Sequence, residues 1–332
     1  MWLAGVSWRR QDLVQKVEAR LTESTIPGVN ATDSVSSAGA GASGGGVREP
    51  LIRRVSVAGG VNLAVRVWEP PAGSTARAPF VLLHGMAATA AGWDGVARRL
   101  ADAGRVVYAL DFRGHGESDR PETGYDLATY GSDLAAALGG MGLEAPILVG
   151  HSLGAWVILE AGAGERLTPG GVCLVEGGLV DACDQFTSLE EALAKLALPP
   201  VAGMPLARLA GYLRHSNPAW PDERLAAALS AFDVAADGTV SWRLTGPRLD
   251  ALVRAMWEAR VGERWPELRT PGAVVVADTG DAAWTSAKRK AEADLRRVVP
   301  GLRFEWMTAD HEVQLDRPEA VAKVLLDVFA GI

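Results

Sequence analysis

The chain has 332 residues, 48% of them hydrophobic and 22% charged, with a formal net charge of −7. That balance describes a soluble globular protein, and the length suits one α/β core carrying an insertion. The negative charge leaves no basic patch for phosphates, which argues against a nucleic-acid partner and an anionic membrane surface, and no apolar run reaches bilayer-spanning length.

Residues 8–23 place Leu13, Val14, Val17 and Leu21 on one helical face with charges opposite, so an amphipathic helix is expected outside the main core. Residues 24–46 turn to Ser, Ala, Gly and Thr, a composition that buries too little apolar surface to order itself. Gly39-Ala40-Gly41-Ala42-Ser43-Gly44 matches G-x-G-x-x-G, but it follows no strand and opens no helix, so it is rejected as a dinucleotide site. This arm, residues 1–49, either trails from the domain or docks its helix on a second copy as a homodimer.

From residue 50 the pattern becomes that of a folded core. Residues 51–58 and 61–68 are β-rich runs joined by Gly59-Gly60, a strong hairpin signal. Phe80-Val81-Leu82-Leu83 is a continuous apolar run, as a central strand covered on both faces requires. A helix over 93–103, a strand over 105–110, a helix over 127–138 and strands over 145–149 and 171–175 follow. Such alternation predicts a mostly parallel, doubly wound sheet.

The rhythm breaks between residues 179 and 268, where helical segments are punctuated by Pro199, Pro200, Pro205, Pro218, Pro221, Pro247 and Pro266. It resumes with a strand over 273–277, a helix over 285–298, a strand over 302–307 and a helix over 318–329. The expected organisation is therefore a core of residues 50–178 and 269–332 with a helical cap, 179–268, inserted between strands 6 and 7. A cap so placed lies over the carboxyl ends of the strands, where ligands of open α/β sheets bind.

Cys173 and Cys183 make no disulfide framework, and Cys173 lies in an apolar strand, which fits a reducing cytoplasm. Residues 1–6 are too short for a signal h-region, and Arg9 and Arg10 follow the apolar run instead of preceding it, so no export leader is expected. No spacing of His, Cys and Asp suggests a metal and no phosphate loop is present, so neither metal nor cofactor is expected.

Gly150-His151-Ser152-Leu153-Gly154 joins an apolar strand directly to a helix. It is a G-x-S-x-G nucleophile elbow, in which the glycines let the backbones pass and the serine hydroxyl is thrust clear of the sheet. A serine needs a base. Of five histidines, His84, His115 and His151 lie at strand ends, His215 in the cap, and His311 after the last strand, third in the chain order serine, acid, histidine. His311 is the expected base, with His151 assigned to packing.

His84-Gly85, the segment Asp111-Phe112-Arg113-Gly114-His115-Gly116-Glu117-Ser118, the Ser152 elbow and the late His311 together resemble the α/β-hydrolase superfamily over residues 50–332. The resemblance implies an oxyanion hole formed by the backbone N–H groups of Leu153 and Met86. It implies two candidates for the triad acid. Superfamily members usually place it after the strand that follows the cap, where this chain has Asp281; a minority place it at the end of the strand after the elbow helix, where it has Glu176. The spacing from Ser152 to Glu176 resembles that of fungal zearalenone lactonases, whose acid is a glutamate, and Glu176 is preferred over Asp281. The serine also excludes haloalkane dehalogenases and epoxide hydrolases, which need a carboxylate at that position.

The cap is rich in aromatic residues. Most such residues pack helices in any cap; Tyr212, Trp220, Trp242 and Trp257 are the candidates for a flat apolar ligand. With the arm run from Leu21 to Gly28 and Glu176, the cap is similar to that of bacterial lactonases that open the macrolactone zearalenone. The implied reaction is hydrolysis of a bulky, uncharged small-molecule ester through an acyl-enzyme. Two rivals stay open: a carbon–carbon bond hydrolase recognising a substrate carboxylate with Arg208, Arg214 or Arg243, and a ligand-binding receptor on the same scaffold.

Overall fold

The computed structural model describes residues 49–163, 167–268, 270 and 272–332; the helix expected over 8–23 and its linker lie outside them. β1 (Leu51–Ser56) and β2 (Asn62–Trp68) pair antiparallel through a turn in which Gly59 and Gly60 hold φ of 72° and 73°, the backbone region that favours glycine. β3 (Phe80–Leu83), α1 (Asp94–Asp102), β4 (Val107–Leu110), α2 (Leu127–Gly140), β5 (Ile147–His151), α3 (Leu153–Ala163) and β6 (Gly171–Val175) then alternate as the apolar runs predict.

The cap comprises α4 (Ala182–Gln185), α5 (Leu189–Leu196), β7 (Met204–Pro205), α6 (Leu206–Ser216), α7 (Asp222–Leu229), β8 (Phe232–Val234), β9 (Thr239–Trp242), α8 (Pro247–Glu258) and a 3₁₀ segment, Val261–Glu267. It is not wholly helical. β8 and β9 form a hairpin with β7 on its edge, a three-stranded antiparallel sheet. The core then resumes with β10 (Gly272–Asp278), α9 (Ala282–Val298), β11 (Arg303–Thr308), α10 (Val313–Asp316) and α11 (Pro318–Val328).

The main sheet runs β1-β2-β4-β3-β5-β6-β10-β11, with β2 antiparallel to both neighbours and the rest parallel. The period of two along each strand explains why the central strands are apolar throughout. Val81, Leu83, Leu148 and Leu174 face α2 and α3, whereas Phe80, Leu82, Val149 and Cys173 face α1 and α11. Each fully buried side chain of this kind contributes about 1.5–3 kcal/mol.

The register brings the strand ends level, because Leu83 pairs with both Leu110 and Gly150, and His151 with Val175. The loops after β3, β4, β5, β6 and β10 therefore emerge on one edge, under the cap. Ion pairs tie the cap to the core: Arg98–Glu223, Arg120–Asp233, Arg243–Glu117, Arg248–Glu122 and Arg224–Asp316. Among the described residues no helix is long and apolar enough to cross a membrane.

Candidate active site

At the end of β5 the chain turns so tightly that Ser152 holds φ of 51°, a conformation seldom adopted by a residue with a Cβ. Its N–H still extends the ladder, donating to the Val175 carbonyl at 3.0 Å, and α3 begins at the next residue. A Cβ on Gly150 would overlap the backbone of Gly154, and one on Gly154 would lie 2.5 Å from the Leu83 carbonyl oxygen. The two glycines thus let β5, α3 and β3 close around a buried serine. Leu153 opens the helix, so its N–H has no acceptor within the helix.

Glu176, at the end of β6, repeats the device with φ of 48°. Its N–H donates to the Val275 carbonyl at 2.8 Å, and its side chain folds back so that Oε2 accepts from the Ala277 N–H at 2.7 Å. Oε1 accepts from the buried Lys288 ammonium and lies 3.7 Å from His311 Nδ1. Burial alone would raise this carboxyl, but the contact with His311 and the charges of His311 and Lys288 outweigh it, holding Glu176 below the usual glutamate value. Asp281 occupies a different role. It N-caps α9, accepting from the Trp284 N–H at 3.0 Å, and is partly exposed. Glu176 is the carboxylate that the fold brings to His311.

His311 sits between β11 and α10. His151 Nε2–H donates to the His311 carbonyl at 2.9 Å, and the two rings lie 4.8 Å apart. Burial, and next the neighbouring His311, hold His151 well below the ordinary imidazole value, so it is a neutral strut that fixes the backbone of His311 and does more than fill space.

The loop after β3 is fastened by two further histidines. His84 Nδ1–H donates to the Gly85 carbonyl at 2.7 Å while its Nε2 accepts from the Phe112 N–H at 3.1 Å. His115 Nδ1–H donates to the Arg113 carbonyl at 3.0 Å and its Nε2 accepts from the Ala87 N–H at 3.3 Å. Asp111 accepts from the N–H groups of Ala90 at 2.6 Å and Glu117 at 3.0 Å. The motif from Asp111 to Ser118 is thus a scaffold for this loop, a role its sequence does not disclose. A Cβ on Gly85 would fall 3.2 Å from the Ser152 Cβ, so the Gly85–Met86 peptide abuts the serine.

Tyr212 and Trp242 pack on the cap's own cluster around Leu209, Leu213 and Phe232, and Trp242 Nε1–H donates to the Pro199 carbonyl at 2.8 Å. Trp257 packs against the larger core cluster, and Trp220 lies 4.2 Å beneath the Arg224 guanidinium. Among the described residues, Asp181, Cys183 and Asp184 bring three potential metal-ligand atoms within 4.8 Å of one another, but the Asp181 carboxylate already accepts from the Gly262 N–H at 3.0 Å.

A serine on a strand-to-helix elbow and a histidine near a buried carboxylate are side chains of the kind nucleophilic hydrolysis uses. The alpha/beta hydrolase family model matches residues 80–324, and the chain belongs to that family. It is similar to a non-heme chloroperoxidase of Streptomyces lividans, 37% identical over 100 residues, or 30% of this chain and 35% of that one. It is also similar to a monoacylglycerol lipase of Mycolicibacterium smegmatis, 33% identical over 158 residues, or 46% and 55% of the two chains. The matched stretches thus span from about a third to about half of these relatives' length. The crystal structure of E-2-(acetamidomethylene)succinate hydrolase superposes with a TM-score of 0.69 at 24% identity, covering 85% of this chain and all of the other, a likeness of fold.

Proposed function

We propose that the protein is a serine hydrolase of carboxylic esters, with Ser152 as nucleophile, His311 as general base and Glu176 as the triad acid. The observation that carries this reading is the approach of His311 Nδ1 to Glu176 Oε1, 3.7 Å, in a chain that holds Ser152 at positive φ on a strand-to-helix elbow. With Nδ1 facing the carboxylate, Nε2 is the ring nitrogen left for the serine.

In the proposed reaction Ser152 Oγ attacks the ester carbonyl carbon as His311 takes its proton. The developing oxyanion is received by the N–H groups of Leu153 and Met86, each worth about 3 kcal/mol. Collapse re-forms the carbonyl and breaks the bond from its carbon to the ester oxygen, leaving the acyl group on Ser152, and His311 gives the proton to the departing alkoxide. Water deprotonated by His311 then releases the acid and restores Ser152. In a lactone the freed hydroxyl stays on the acyl chain, so a single product leaves.

The substrate we favour is a bulky, uncharged lactone such as zearalenone. The engagement of two of the three arginines that an anionic substrate would need supports an uncharged ligand: Arg243 bonds the Gly116 carbonyl and pairs with Glu117, and Arg214 pairs with Asp222, while Arg208 is exposed. Similarity to a monoacylglycerol lipase supports ester chemistry more broadly. Multiple-turnover hydrolysis of zearalenone beside a short aryl ester, with product mass recorded, tests the reading. Lactone opening that vanishes in Ser152→Ala is the expected result; turnover of the aryl ester alone would discard the lactone, and silence on both would discard ester hydrolysis.

A further inference from the structure

Lys288 has no task in the mechanism above. It projects from the second turn of α9, is 2% exposed, and donates to both Glu176 Oε1 and the Ala277 carbonyl oxygen, the latter at 2.8 Å. A lysine is almost never so buried unless paired. The Ala277 N–H holds the other carboxylate oxygen, so both oxygens of Glu176 are occupied by donors. The oxygen that Lys288 takes is the one that faces His311 Nδ1. In the serine triad the carboxylate orients the imidazole and stabilises the imidazolium; here an ammonium shares the same carboxylate oxygen.

Resting on the triad reading, we propose that Lys288 is a positioning residue of the site: its ammonium clamps the Glu176 carboxylate and lowers the proton affinity of the Glu176–His311 pair, keeping His311 available as a base at lower pH. A cation bonded to a carboxylate favours its ionised form by about one to three pH units, and the same charge opposes a second positive charge on the imidazole. Lys288 and His311 meet the same Glu176 oxygen, so removing the ammonium is expected to raise the proton affinity of the Glu176–His311 pair as a unit.

The other charged or titratable groups around the pair are accounted for. His151 faces His311 from β5 and is neutral. Asp310 and Glu312 flank His311, and Arg224 reaches Asp310 from the cap at 3.7 Å while pairing with Asp316. Asp278, at the end of β10, accepts from the Gly280 N–H at 3.2 Å and the Thr285 hydroxyl at 3.0 Å. Lys288 is the cation bonded directly to Glu176.

The test compares native protein with Lys288→Gln, which keeps an N–H donor and removes the charge, and with Lys288→Arg, which keeps the charge. kcat/KM for a short aryl ester is followed against pH, and the His311 ring is titrated by NMR in a Ser152→Ala background, which needs no turnover. The expected result is that Lys288→Gln moves the acid limb and the His311 titration upward by about one pH unit or more, while Lys288→Arg leaves both nearer their native positions. An unchanged limb and titration in folded Lys288→Gln would overturn the proposal. Should that variant not fold, Lys288→Met and Lys288→Arg are compared in the Ser152→Ala background with Glu176 kept: the His311 titration lies higher in the uncharged variant than in the charged one, and equal titrations overturn the idea. Absence of ester turnover in the native protein would sink the hydrolase reading and still leave the NMR titration to decide the role of Lys288.

Discussion

Ser152 and Glu176 are non-glycine residues held at positive φ at the ends of adjacent strands, each at a cost of order 1 kcal/mol. The strain aims one side chain out of the sheet and folds the other back along β10 toward His311 and Lys288. Glu176→Gln would lose the charge that steadies the imidazolium and leave the buried Lys288 ammonium without its carboxylate, and is expected to lower kcat roughly 10³- to 10⁴-fold and stability by about 3–5 kcal/mol. Asp281→Ala should change kcat by less than a few-fold and cost about 1 kcal/mol of stability as a lost helix cap. Steady-state kinetics and urea unfolding on the two variants separate these effects; the reverse pattern would make Asp281 the triad acid.

Two elements carry the loops that build the site. The loop after β3 hangs on His84 and His115, whose burial pushes them down to about 4 and about 3. An unfolded histidine titrates near 6.5, so below that pH the unfolded chain binds protons that the native one refuses. The stabilisation these groups give is complete above pH 6.5 and is lost as pH falls toward 4 and 3, at about 2 kcal/mol per histidine by pH 5. Urea midpoints at pH 7 and pH 5 should show the fall, and His115→Asn should lessen it. The second element is α7 of the cap. Its buried Arg224 pairs with Asp316, which also accepts from the Asp310 N–H at 2.7 Å beside His311, and just beyond the helix Ser230 shares a 2.6 Å hydrogen bond with Thr89 on the loop after β3. Removing one partner of a buried pair costs about 3–5 kcal/mol. Arg224→Ala should lower both stability and kcat, whereas loss of an exposed latch such as Arg248–Glu122 should cost less than about 1 kcal/mol; thermal unfolding and kcat measured together check this.

Across the whole molecule, the mostly parallel, doubly wound sheet was legible because the core strands are unbroken apolar runs alternating with helices, and the α/β-hydrolase fold through the resemblance carried by His84-Gly85, the segment 111–118, the Ser152 elbow and His311. What escaped was short or non-local. β8 has three residues and β7 two, too few to show a period, so the cap's small sheet read as part of a helical region. Glu176 and Asp281 both lie near strand ends, and no local pattern says which one meets His311; the alignment of β6 with β10 and the seating of Asp281 as a helix cap distinguish their placements. Lys288 stands in a run with Arg289 and Lys290 that resembles a solvated face, yet it points inward. Its partner lies on a strand far away in sequence, and only the folded sheet joins them.

The most direct test of the account is covalent labelling of the native protein with an aryl alkylphosphonate, followed by intact mass and peptide mapping. One adduct per chain on Ser152, absent from Ser152→Ala and accompanied by loss of ester turnover, is the predicted result. Labelling at another residue, or turnover that survives in Ser152→Ala, would contradict the assignment of Ser152 as the nucleophile.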